Sequence, residues 1–267
     1  MLKNLAPKEM INLPVRQADS EQHVSAKKNQ YKHMKIGLLG YGKMGKTIEQ
    51  IALERHHDIT LKVDKDTENY VLENIDVAID FSTPDAAVDN ITNCFNHNVP
   101  VISGTTGWLE RYDEVVALCH EKNGTFLYAS NFSLGVNIFF ELNKTLSKLM
   151  ANLPQYNISM EEIHHTQKLD APSGTAITLA EEILKNSKYG TWTLDAARSR
   201  QDLHINSKRI DNVPGTHEVT YSSSVDTIEI KHTAHNREGF ALGAVIAAEW
   251  IAGKKGVFSM KDVLNIG

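Results

Sequence analysis

Two histidines, a lysine and a turn rich in backbone donors lie close together in the second half of the chain. The run Glu162–Ala176 (EIHHTQKLDAPSGTA) contains His164, His165 and Lys168 ahead of a Pro-Ser-Gly-Thr turn. Imidazole titrates near neutral pH and an ammonium group carries a full charge, so these side chains can hold a carboxylate and deliver a proton. The sequence therefore predicts a site for a small acidic substrate.

A glycine-rich turn near residue 40 has the spacing of a dinucleotide site. It reads Gly40-Tyr41-Gly42-Lys43-Met44-Gly45. The first glycine permits a tight turn, the second lets the backbone approach a pyrophosphate, and the third lets the helix pack close to the strand. The helix that follows presents unpaired N–H groups and a partial positive charge. All six residues are therefore predicted to bind a cofactor.

The choice between the two nicotinamide cofactors depends on the end of the second predicted strand. Asp64 would accept hydrogen bonds from the adenosine ribose hydroxyls, which favours NADH. Lys65 could instead bind the 2′-phosphate of NADPH, and Lys43 in the glycine turn would also favour binding of NADPH. Alternatively, these residues after the strand form an ordinary solvated turn that binds no cofactor. The sequence predicts NADH, NADPH or both as cofactor.

Strands and helices alternate through the first half of the chain. Predicted strands cover residues 35–39, 59–63, 77–81, 99–103 and 125–129, and predicted helices cover 46–54, 84–97 and 111–122. Such alternation is typical of a parallel sheet covered on both faces. The sequence therefore predicts an α/β fold with a Rossmann-type doubly wound parallel sheet. Cofactor contacts are also predicted where the fourth strand ends, at Gly104, Thr105 and Thr106.

After residue 131 the pattern changes to that of a second, α+β domain. Predicted helices cover 136–150 and 176–185, and a predicted strand covers 156–164. Two or three further strands are predicted between residues 204 and 233, with 219–223 and 227–231 as the best candidates. We predict that residues 132–236 form a substrate-binding domain. Residues 34–131 plus 237–267 are predicted to form the dinucleotide-binding domain, with a helix over 241–252 packing back onto it. Residues 1–33 are polar and lack an apolar period, so they are predicted to be a tail that could be disordered.

The composition excludes several classes of protein. The chain has 267 residues, a formal net charge of -5 and a pI of about 6.2, so it lacks the basic face that nucleic acids demand. Its apolar stretches are shorter than the roughly 20 residues that span a bilayer, so no membrane contact is predicted. Cys94 and Cys119 are too few for a disulfide framework, which favours a reducing cytoplasm.

The other polar residues of the second half are not predicted to hold a ligand. His164 and His165 are adjacent and lack the i, i+4 spacing of a helical zinc pair, so no metal is predicted. His232 and His235 have no set of carboxylates or thiolates around them in the sequence. For Arg237 a salt bridge is the favoured prediction, with contact to a substrate or a neighbouring subunit as the alternative.

Five motifs follow one another in the order found in one enzyme family. Besides the run Glu162–Ala176 they are Asp80-Phe81-Ser82, 102–107 (ISGTTG), 130–135 (SNFSLG) and 260–264 (MKDVL). Over about residues 34–267 the chain resembles the dihydrodipicolinate reductases, also called 4-hydroxy-tetrahydrodipicolinate reductases. The resemblance implies NAD(P)H-dependent reduction of a cyclic dicarboxylic imine, which converts 4-hydroxy-tetrahydrodipicolinate to tetrahydrodipicolinate. That step belongs to the diaminopimelate route to lysine.

The resemblance also implies roles for individual residues. His164 and Lys168 match the family's catalytic histidine and lysine, and His165, Gly174 and Thr175 match its substrate-binding positions. Its cofactor-contacting loops correspond to Gly104–Thr106 and to Ala129, Ser130, Asn131 and Phe132. Family members combine a Rossmann-type domain with a substrate domain that also carries the oligomer contacts, usually of a homotetramer.

The sequence leaves several alternatives open. Another two-domain Rossmann dehydrogenase acting on an amino acid or sugar would carry a similar glycine turn, and so would a nucleotide-sensing protein without catalysis. The glycine turn is one residue shorter than in longer family members, and Thr83 stands where some relatives have Arg. The preference between NADH and NADPH, the choice between dimer and tetramer, and the role of residues 1–33 therefore stay undecided.

Overall fold

The described part of the chain contains two β-sheets, each covered by helices. The computed structural model describes residues 32–67, 69–194, 199 and 201–266, so nearly all of the predicted polar tail lies outside the described residues. In chain order the elements are β1 (Lys35–Leu39), α1 (Lys43–Glu54), β2 (Asp58–Val63), β3 (Val77–Asp80), α2 (Pro84–Asn96), β4 (Val101–Ser103), a 3₁₀ turn (Leu109–Arg111), α3 (Tyr112–Glu121), β5 (Thr125–Tyr128), α4 (Leu134–Met150), β6 (Asn157–His164), α5 (Gly174–Lys185), β7 (Thr191–Thr193), β8 (Asp202–Arg209), β9 (Gly215–Ser222), β10 (Thr227–Ala234), α6 (Glu238–Ile251), β11 (Gly256–Phe258) and α7 (Met260–Leu264).

The first sheet is parallel and doubly wound. Its strand order is β11-β5-β4-β3-β1-β2, and each neighbouring pair is parallel. The chain runs outward from β1 to β2, then returns past β1 and continues in the other direction from β3. In such sheets ligands bind in the crevice beyond the carboxyl ends of the strands, at the point where the order reverses. That point lies between β1 and β3.

Helices cover both faces of the first sheet. One apolar core joins Ile36 and Leu38 of β1 to α1 and α6, and a second joins Ala78 and Val101 to α2 and α3. Burial on both faces explains why β1, β3 and β4 are short apolar runs, whereas the edge strand β2 alternates between apolar and polar residues. Helix α2 begins as its sequence predicts, with Pro84 in the first turn, where a missing N–H group costs nothing.

Helix α6 comes after the second sheet in the chain but packs against the first. Its small residues Ala241, Ala244 and Ala248 are fully buried in the core that contains β1. The approach is closest at Gly243, where a Cβ atom would lie 1.8 Å from the carbonyl oxygen of Phe132. A side chain at this position is therefore incompatible with the backbone arrangement. The predicted helix over 241–252 is confirmed as an element, although it begins earlier, at Glu238.

The second sheet is mixed and has the strand order β10-β9-β6-β8-β7. The central strand β6 pairs antiparallel with β9 and parallel with β8. Helices α4 and α5 cover one face through a core that includes Phe139, Met160, Leu179 and Val219. The predicted fold class, a Rossmann-type parallel sheet followed by an α+β domain, is confirmed.

Helix α4, the longest of the described helices, is amphipathic. Its buried residues Val136, Phe139, Asn143, Ser147 and Met150 recur at the three- and four-residue spacing of one helix face. Its N-terminus is capped by the Ser133 side chain, which accepts a hydrogen bond from the backbone N–H of Val136. In the described ranges, no helix has both the length and the apolar composition that a membrane crossing requires.

Candidate active site

The turn between β1 and α1 needs glycine at two of its three glycine positions. Gly40 has φ +101°, and a Cβ atom there would lie 2.1 Å from the carbonyl oxygen of Phe81. A Cβ at Gly45 would lie 2.4 Å from the carbonyl oxygen of Gly40, so a side chain would push α1 away from β1. At Gly42 no atom lies within 4 Å of that position. The middle glycine therefore leaves open space where a ligand could approach the backbone.

A cavity of about 640 Å³ opens beside this turn, at the carboxyl ends of β1, β2 and β3. Five of the predicted cofactor residues line it: Gly40, Tyr41, Gly42, Asp64 and Lys65. Lys43 and Met44, which follow in the first turn of α1, are outside this lining. The cavity thus coincides with the switch point of the sheet.

Asp64 is exposed and fixed by its own turn. Its Oδ1 atom accepts hydrogen bonds from the backbone N–H of Asp66 at 3.0 Å and from the Thr67 hydroxyl at 3.1 Å. Its Oδ2 atom has no hydrogen-bond partner among the described residues, and neighbouring Lys65 is exposed. One carboxylate oxygen is therefore available to a ligand in the cavity.

A cation that the sequence interpretation missed lies beside Tyr41. The Lys62 ammonium group is 2.6 Å from a Glu49 carboxylate oxygen and 4.9 Å from the centroid of the Tyr41 ring. The Tyr41 hydroxyl donates a hydrogen bond to the same carboxylate, and this contact raises the pKa of the phenol. Lys62 and Glu49 therefore fix the Tyr41 ring, which lines the cavity, while Lys62 itself is outside the lining.

A buried carboxylate organises the loops that follow β3 and β4. Asp80 is fully buried and accepts hydrogen bonds from Ser82 at 2.6 Å, Asn90 at 3.1 Å, Ser103 at 2.7 Å and Thr105 at 2.7 Å. Burial raises the pKa of the Asp80 carboxyl, although these four hydrogen bonds oppose the shift. Because its donors come from three segments of the chain, Asp80 holds those segments together at the edge of the sheet.

The predicted cofactor residues after β4 pack against the loop after β3. A Cβ atom at Gly104 would lie 2.3 Å from the Phe81 ring, so a side chain there would have to displace that ring. Thr105 is buried and its hydroxyl also accepts the Ser82 backbone N–H at 2.9 Å, whereas Thr106 is exposed. The Phe81 ring packs in turn on Phe132, with 5.6 Å between the ring centroids. The loops after β3, β4 and β5 therefore meet at one aromatic pair.

The remaining predicted cofactor residues lie between β5 and α4. Ala129 is half-buried and Ser130 is exposed. The Asn131 side chain accepts the backbone N–H of Ser133 at 2.9 Å, and its carbonyl accepts the Asn137 amide at 2.9 Å. Asn131 thus shapes the turn that leads into α4, while Ser130 presents its hydroxyl at the edge of the sheet.

His164 ends strand β6 with its side chain buried. In the sheet register it lies opposite Arg209 of β8. His165 follows at the start of the turn and is half-buried, and its Nδ1 atom is buried without a hydrogen-bond partner in the described ranges. The structure therefore places the two predicted imidazoles at the end of the central strand of the second sheet.

Lys168 lies in the turn that follows β6. Its ammonium group contacts both carboxylate oxygens of Asp170, at 2.7 and 2.9 Å. The Lys168 side chain is only 22% exposed, so it lies against the protein rather than in solvent. The hydrogen bond from Lys168 lowers the pKa of the Asp170 carboxyl. A substrate carboxylate would have to displace Asp170 or share this cation with it.

The start of α5 offers hydrogen-bond donors to a ligand. The N-cap Ser173 accepts the backbone N–H of Ala176 at 3.2 Å. The N–H groups of Gly174 and Thr175 have no acceptor in the described part of the chain, and no atom lies within 4 Å of a Cβ built at Gly174. Free N–H groups at a helix N-terminus favour an anion. The two predicted substrate-binding residues of this helix thus offer free donors.

Beneath this turn lies a buried polar cluster that the sequence interpretation did not identify. The sheet register brings Glu162 of β6 beside Ser207 of β8 and His217 of β9. Ligand atoms of Glu162, His164 and His217 lie within 4.8 Å of one another, a spacing that could hold a metal ion. The carboxylate is already satisfied by the Ser207 hydroxyl at 2.6 Å and by other protein donors, so the cluster has a structural explanation without a metal.

Burial and neighbouring charges control the titration of this cluster. Burial lowers the pKa of His164, Lys168 and Arg209 lower it further, and Glu162 opposes the shift. Burial raises the pKa of Glu162, but hydrogen bonds from Ser173 and Ser207 outweigh it, so the net shift is downward. For His217, burial lowers the pKa to about 4. His217 is therefore neutral at pH 7.

The stability of the protein should fall between pH 7 and pH 5 because of His217. In the unfolded chain this histidine takes up a proton near its ordinary pKa of 6.5, whereas in the folded protein it resists protonation down to about pH 4. The unfolded state thus binds more protons in this window, which costs about 2 kcal/mol of stability by pH 5. Urea unfolding of wild type and His217→Asn at both pH values checks this. An equally steep loss in the variant would contradict it.

Contacts between histidines connect the second sheet to the loop after β5. His217 lies 5.0 Å from His164 between ring centroids, and in the register it lies opposite His232 of β10. A Cβ atom at Gly135, in the first turn of α4, would lie 2.9 Å from the His232 ring. The His217 and His232 rings therefore lie between His164 and the first turn of α4.

The prediction that Arg237 forms a salt bridge is wrong for the residues that the structure describes. Arg237 is exposed at the start of α6 and has no acidic partner there. Nearby Asn236 and Glu238 contact each other instead, at 3.0 Å. The guanidinium group is therefore available to a ligand or to another subunit.

The fold and the two loop regions point to a class of protein before any comparison. A glycine turn at the switch point of a doubly wound sheet, with a histidine- and lysine-bearing turn on a second sheet, is typical of a two-domain Rossmann-type oxidoreductase. Sequence models of the family described as dihydrodipicolinate reductase match both halves, the N-terminal model over residues 34–132 and the C-terminal model over 135–264. The chain therefore belongs to the dihydrodipicolinate reductase family, whose reaction lies in lysine biosynthesis.

Individual relatives agree with this assignment. A 4-hydroxy-tetrahydrodipicolinate reductase from Christiangramia forsetii is 58% identical over 235 residues, which cover 87% of this chain and 98% of the relative. One from Thermosipho africanus is 36% identical, with the same coverage of both chains. The solved structure of dipicolinate-bound dihydrodipicolinate reductase from Paenisporosarcina sp. TG-14 shares the fold, with a TM-score of 0.70 at 20% identity over 85% of this chain and 97% of that one.

Proposed function

We propose that this chain reduces 4-hydroxy-tetrahydrodipicolinate to tetrahydrodipicolinate with a hydride from NADH or NADPH. The observation that carries the proposal is the turn after β6. In a chain of this family, it presents His164, Lys168 and the free N–H groups of α5 within one short segment. Loss of water from the hydroxylated ring gives a conjugated imine, which accepts the hydride. The resulting enamine then takes a proton on carbon.

We also propose that the two domains bind different ligands. Residues 34–131 plus 237–267 bind the nucleotide, and residues 132–236 bind the substrate and carry the subunit contacts. The burial of α6 in the core of the first sheet supports this division, since it returns the end of the chain to the first sheet. The domain boundaries would then lie near residues 131 and 237.

The residues around the glycine turn fit a pyridine nucleotide. The space above Gly42 admits a pyrophosphate, and the adjoining cavity of about 640 Å³ can hold the adenosine half. Asp64 or Lys65 would meet the ribose, whereas Gly104–Thr106 and Ala129–Phe132 would line the nicotinamide end. When bound in its reduced form, the cofactor supplies the hydride.

The turn after β6 is proposed to bind the dicarboxylate and to deliver the proton. The N–H groups of Gly174 and Thr175 with the Thr175 hydroxyl would hold one carboxylate, and His165 with Lys168 the other. A cation near the ring stabilises the negative charge that develops as hydride arrives. Lys168 can both anchor the ring and donate the proton, and His164 can act as acid or relay.

The activity is tested by supplying the purified protein with the product of the preceding synthase and following absorbance of the reduced cofactor. We expect oxidation of NADH or NADPH only when that compound is present. Turnover of an amino acid or sugar instead would indicate another two-domain dehydrogenase. Cofactor binding without any turnover across the substrate panel would indicate a nucleotide-sensing protein.

Asp64 is expected to favour NADH over NADPH. Its unpartnered oxygen can accept hydrogen bonds from the ribose hydroxyls, whereas its charge repels a 2′-phosphate. Asp64→Ala should therefore weaken NADH binding by about tenfold, the value of one charge-assisted hydrogen bond, without weakening NADPH. Fluorescence titration with both cofactors measures this, and Asp113→Ala, at an exposed carboxylate on α3 outside the cavity lining, is the control. Equal loss for both cofactors would show that Asp64 does not discriminate.

A homotetramer is proposed from the family resemblance. Helix α4 exposes Ile138, Leu142 and Leu149 to 46, 53 and 70%, and their spacing places them along one face of the helix. An exposed apolar stripe of this kind is a candidate subunit contact. A mass measurement in solution distinguishes a tetramer from a dimer or a monomer. The proposed place of action is the cytoplasm, because Cys94 and Cys119 are buried free thiols.

A further inference from the structure

Glu162 is a carboxylate in the interior of the second sheet. It is fully buried, on the same face of β6 as Met160 and His164. Removing a carboxylate from water costs several kcal/mol unless charges and hydrogen bonds compensate for it. Its position therefore has to be explained by what it contacts.

The first contact fixes the start of α5. The backbone N–H of Ser173 donates to both oxygens of Glu162, at 3.1 and 3.0 Å. Ser173 is the N-cap of α5, and Gly174 and Thr175 follow it directly. Glu162 thus sets where the free N–H groups of that helix lie relative to β6.

The second contact fixes the loop that carries Lys168. Arg209 lies 3.4 Å from Glu162 and donates hydrogen bonds to the carbonyl oxygens of Lys168 at 3.3 Å and Asp170 at 2.5 Å. The guanidinium group therefore joins the buried carboxylate to two points of the loop. Loss of Glu162 would leave this cation without its buried counter-charge.

The third contact is electrostatic and involves His164. Its Nδ1 atom lies 3.5 Å from a Glu162 oxygen, and this atom has no hydrogen-bond partner among the described residues. At this separation and degree of burial, the negative charge favours the protonated imidazole. One carboxylate therefore contacts or controls the three groups on which the proposed reaction depends.

We propose that Glu162 is the positioning residue of this site, holding His164, the Lys168 loop and the start of α5 in one arrangement. The inference rests on the proposed function for its catalytic consequence. The positioning role itself can be tested without turnover, through the titration of His164 and the affinity for a dicarboxylate. Arg209 contributes to the same positioning, because it links Glu162 to the backbone of the Lys168 loop.

The test compares Glu162→Gln and Glu162→Asp with the matched variant Glu161→Gln. Glu161 is the preceding residue of β6 and contacts Asn206 and Lys208 instead of the turn. In Glu162→Gln we expect His164, followed by NMR, to titrate at lower pH than in wild type, because the nearby negative charge is lost. Affinity for dipicolinate, an unreactive ring dicarboxylate, should fall about tenfold, as for loss of a charged contact. NADH affinity should be unchanged.

The catalytic readouts separate positioning from general stability. We expect kcat of Glu162→Gln to fall about 10²-fold, as for a misplaced reacting group, and the basic limb of its pH profile to move to lower pH. Glu162→Asp keeps the charge but shortens the side chain, so its His164 titration should stay near that of wild type while dipicolinate affinity falls. This second variant preserves the test if Glu162→Gln does not fold.

Two outcomes would contradict the proposed positioning role of Glu162. Unchanged His164 titration and unchanged dipicolinate affinity in folded Glu162 variants would overturn the proposal, as would equal changes in Glu161→Gln. Absence of turnover in the wild-type protein would count against the proposed function instead. The NMR and dipicolinate comparisons would still test the positioning role of Glu162 in that case.

Discussion

Lys168→Ala and His164→Gln are each expected to lower kcat by roughly 10²–10⁴-fold, the range for loss of a positioned acid or base. Both side chains lie on or beside the turn after β6, away from the cavity at the glycine turn. The dissociation constant of NADH should therefore stay unchanged in both variants. Steady-state kinetics with the synthase product, together with fluorescence titration of NADH, measure the two quantities separately.

The balance between kcat and KM shows what Lys168 does. If Lys168 only anchors a carboxylate, Lys168→Ala raises KM and leaves kcat nearly unchanged, because uniform binding is lost. If it also stabilises the transition state or donates the proton, kcat falls as well. In the free enzyme the Lys168 ammonium group is already paired with Asp170, so a substrate carboxylate has to compete for it. The change in kcat is therefore a better measure of the role of Lys168 than the change in KM.

Lys185→Ala is the matched control for the lysine. Lys185 lies at the opposite end of α5 from the turn, pairs with Glu182 and is exposed, so its loss should leave turnover unchanged. Wild-type turnover in both Lys168→Ala and His164→Gln would show that the catalytic assignment is wrong. Loss of NADH binding in either variant would indicate a wider structural defect instead.

The parts of the fold that local chemistry dictates were predictable from sequence. The strand–turn–helix unit from β1 to α1 follows from an apolar run and the spacing of three glycines, and the backbone bears out the need for glycine at Gly40 and Gly45. Helix α1 begins at Lys43, inside the glycine turn, rather than at the predicted residue 46. Short elements such as β7, β11 and α7 were missed because three to five residues are too few to show a period.

The support of the candidate site was not predictable because it depends on register. Glu162, Ser207 and His217 are far apart in sequence and meet only because β8 and β9 both pair with β6. A one-residue shift of either pairing would turn these side chains to the opposite face. Arg209 could not be identified from sequence for the same reason, since its partners are a buried carboxylate, the Ser207 hydroxyl and three backbone carbonyls. The sequence motif was enough to identify the turn after β6, whereas the hydrogen-bond network beneath that turn could be identified only from the structure.

Asp80→Ala should destabilise the protein by about 3 kcal/mol or more. The change leaves the buried hydroxyls of Ser103 and Thr105 without their acceptor, and each unsatisfied buried group costs about 1–3 kcal/mol. The Asn90 amide also loses its bond to Asp80 but keeps the Ser82 hydroxyl as an acceptor. Because these donors lie on the loops beside the cavity, NADH affinity should fall as well. Urea unfolding and fluorescence titration measure the two effects, and Asp80→Asn, which retains one acceptor oxygen, should lose less stability.

Asp89→Ala is the matched control, because Asp89 is an exposed carboxylate on α2, next to Asn90. Its loss should change neither stability nor NADH affinity, so a shared effect would point to the net charge rather than to the buried hydrogen bonds. Destabilised Asp80→Ala that binds NADH like wild type would show that the backbone bond from Gly104 N–H to the Asp80 carbonyl, at 2.9 Å, is enough to hold the loop. Wild-type stability in Asp80→Ala would mean that the hydroxyls find other acceptors, and the role given to this carboxylate would then be wrong.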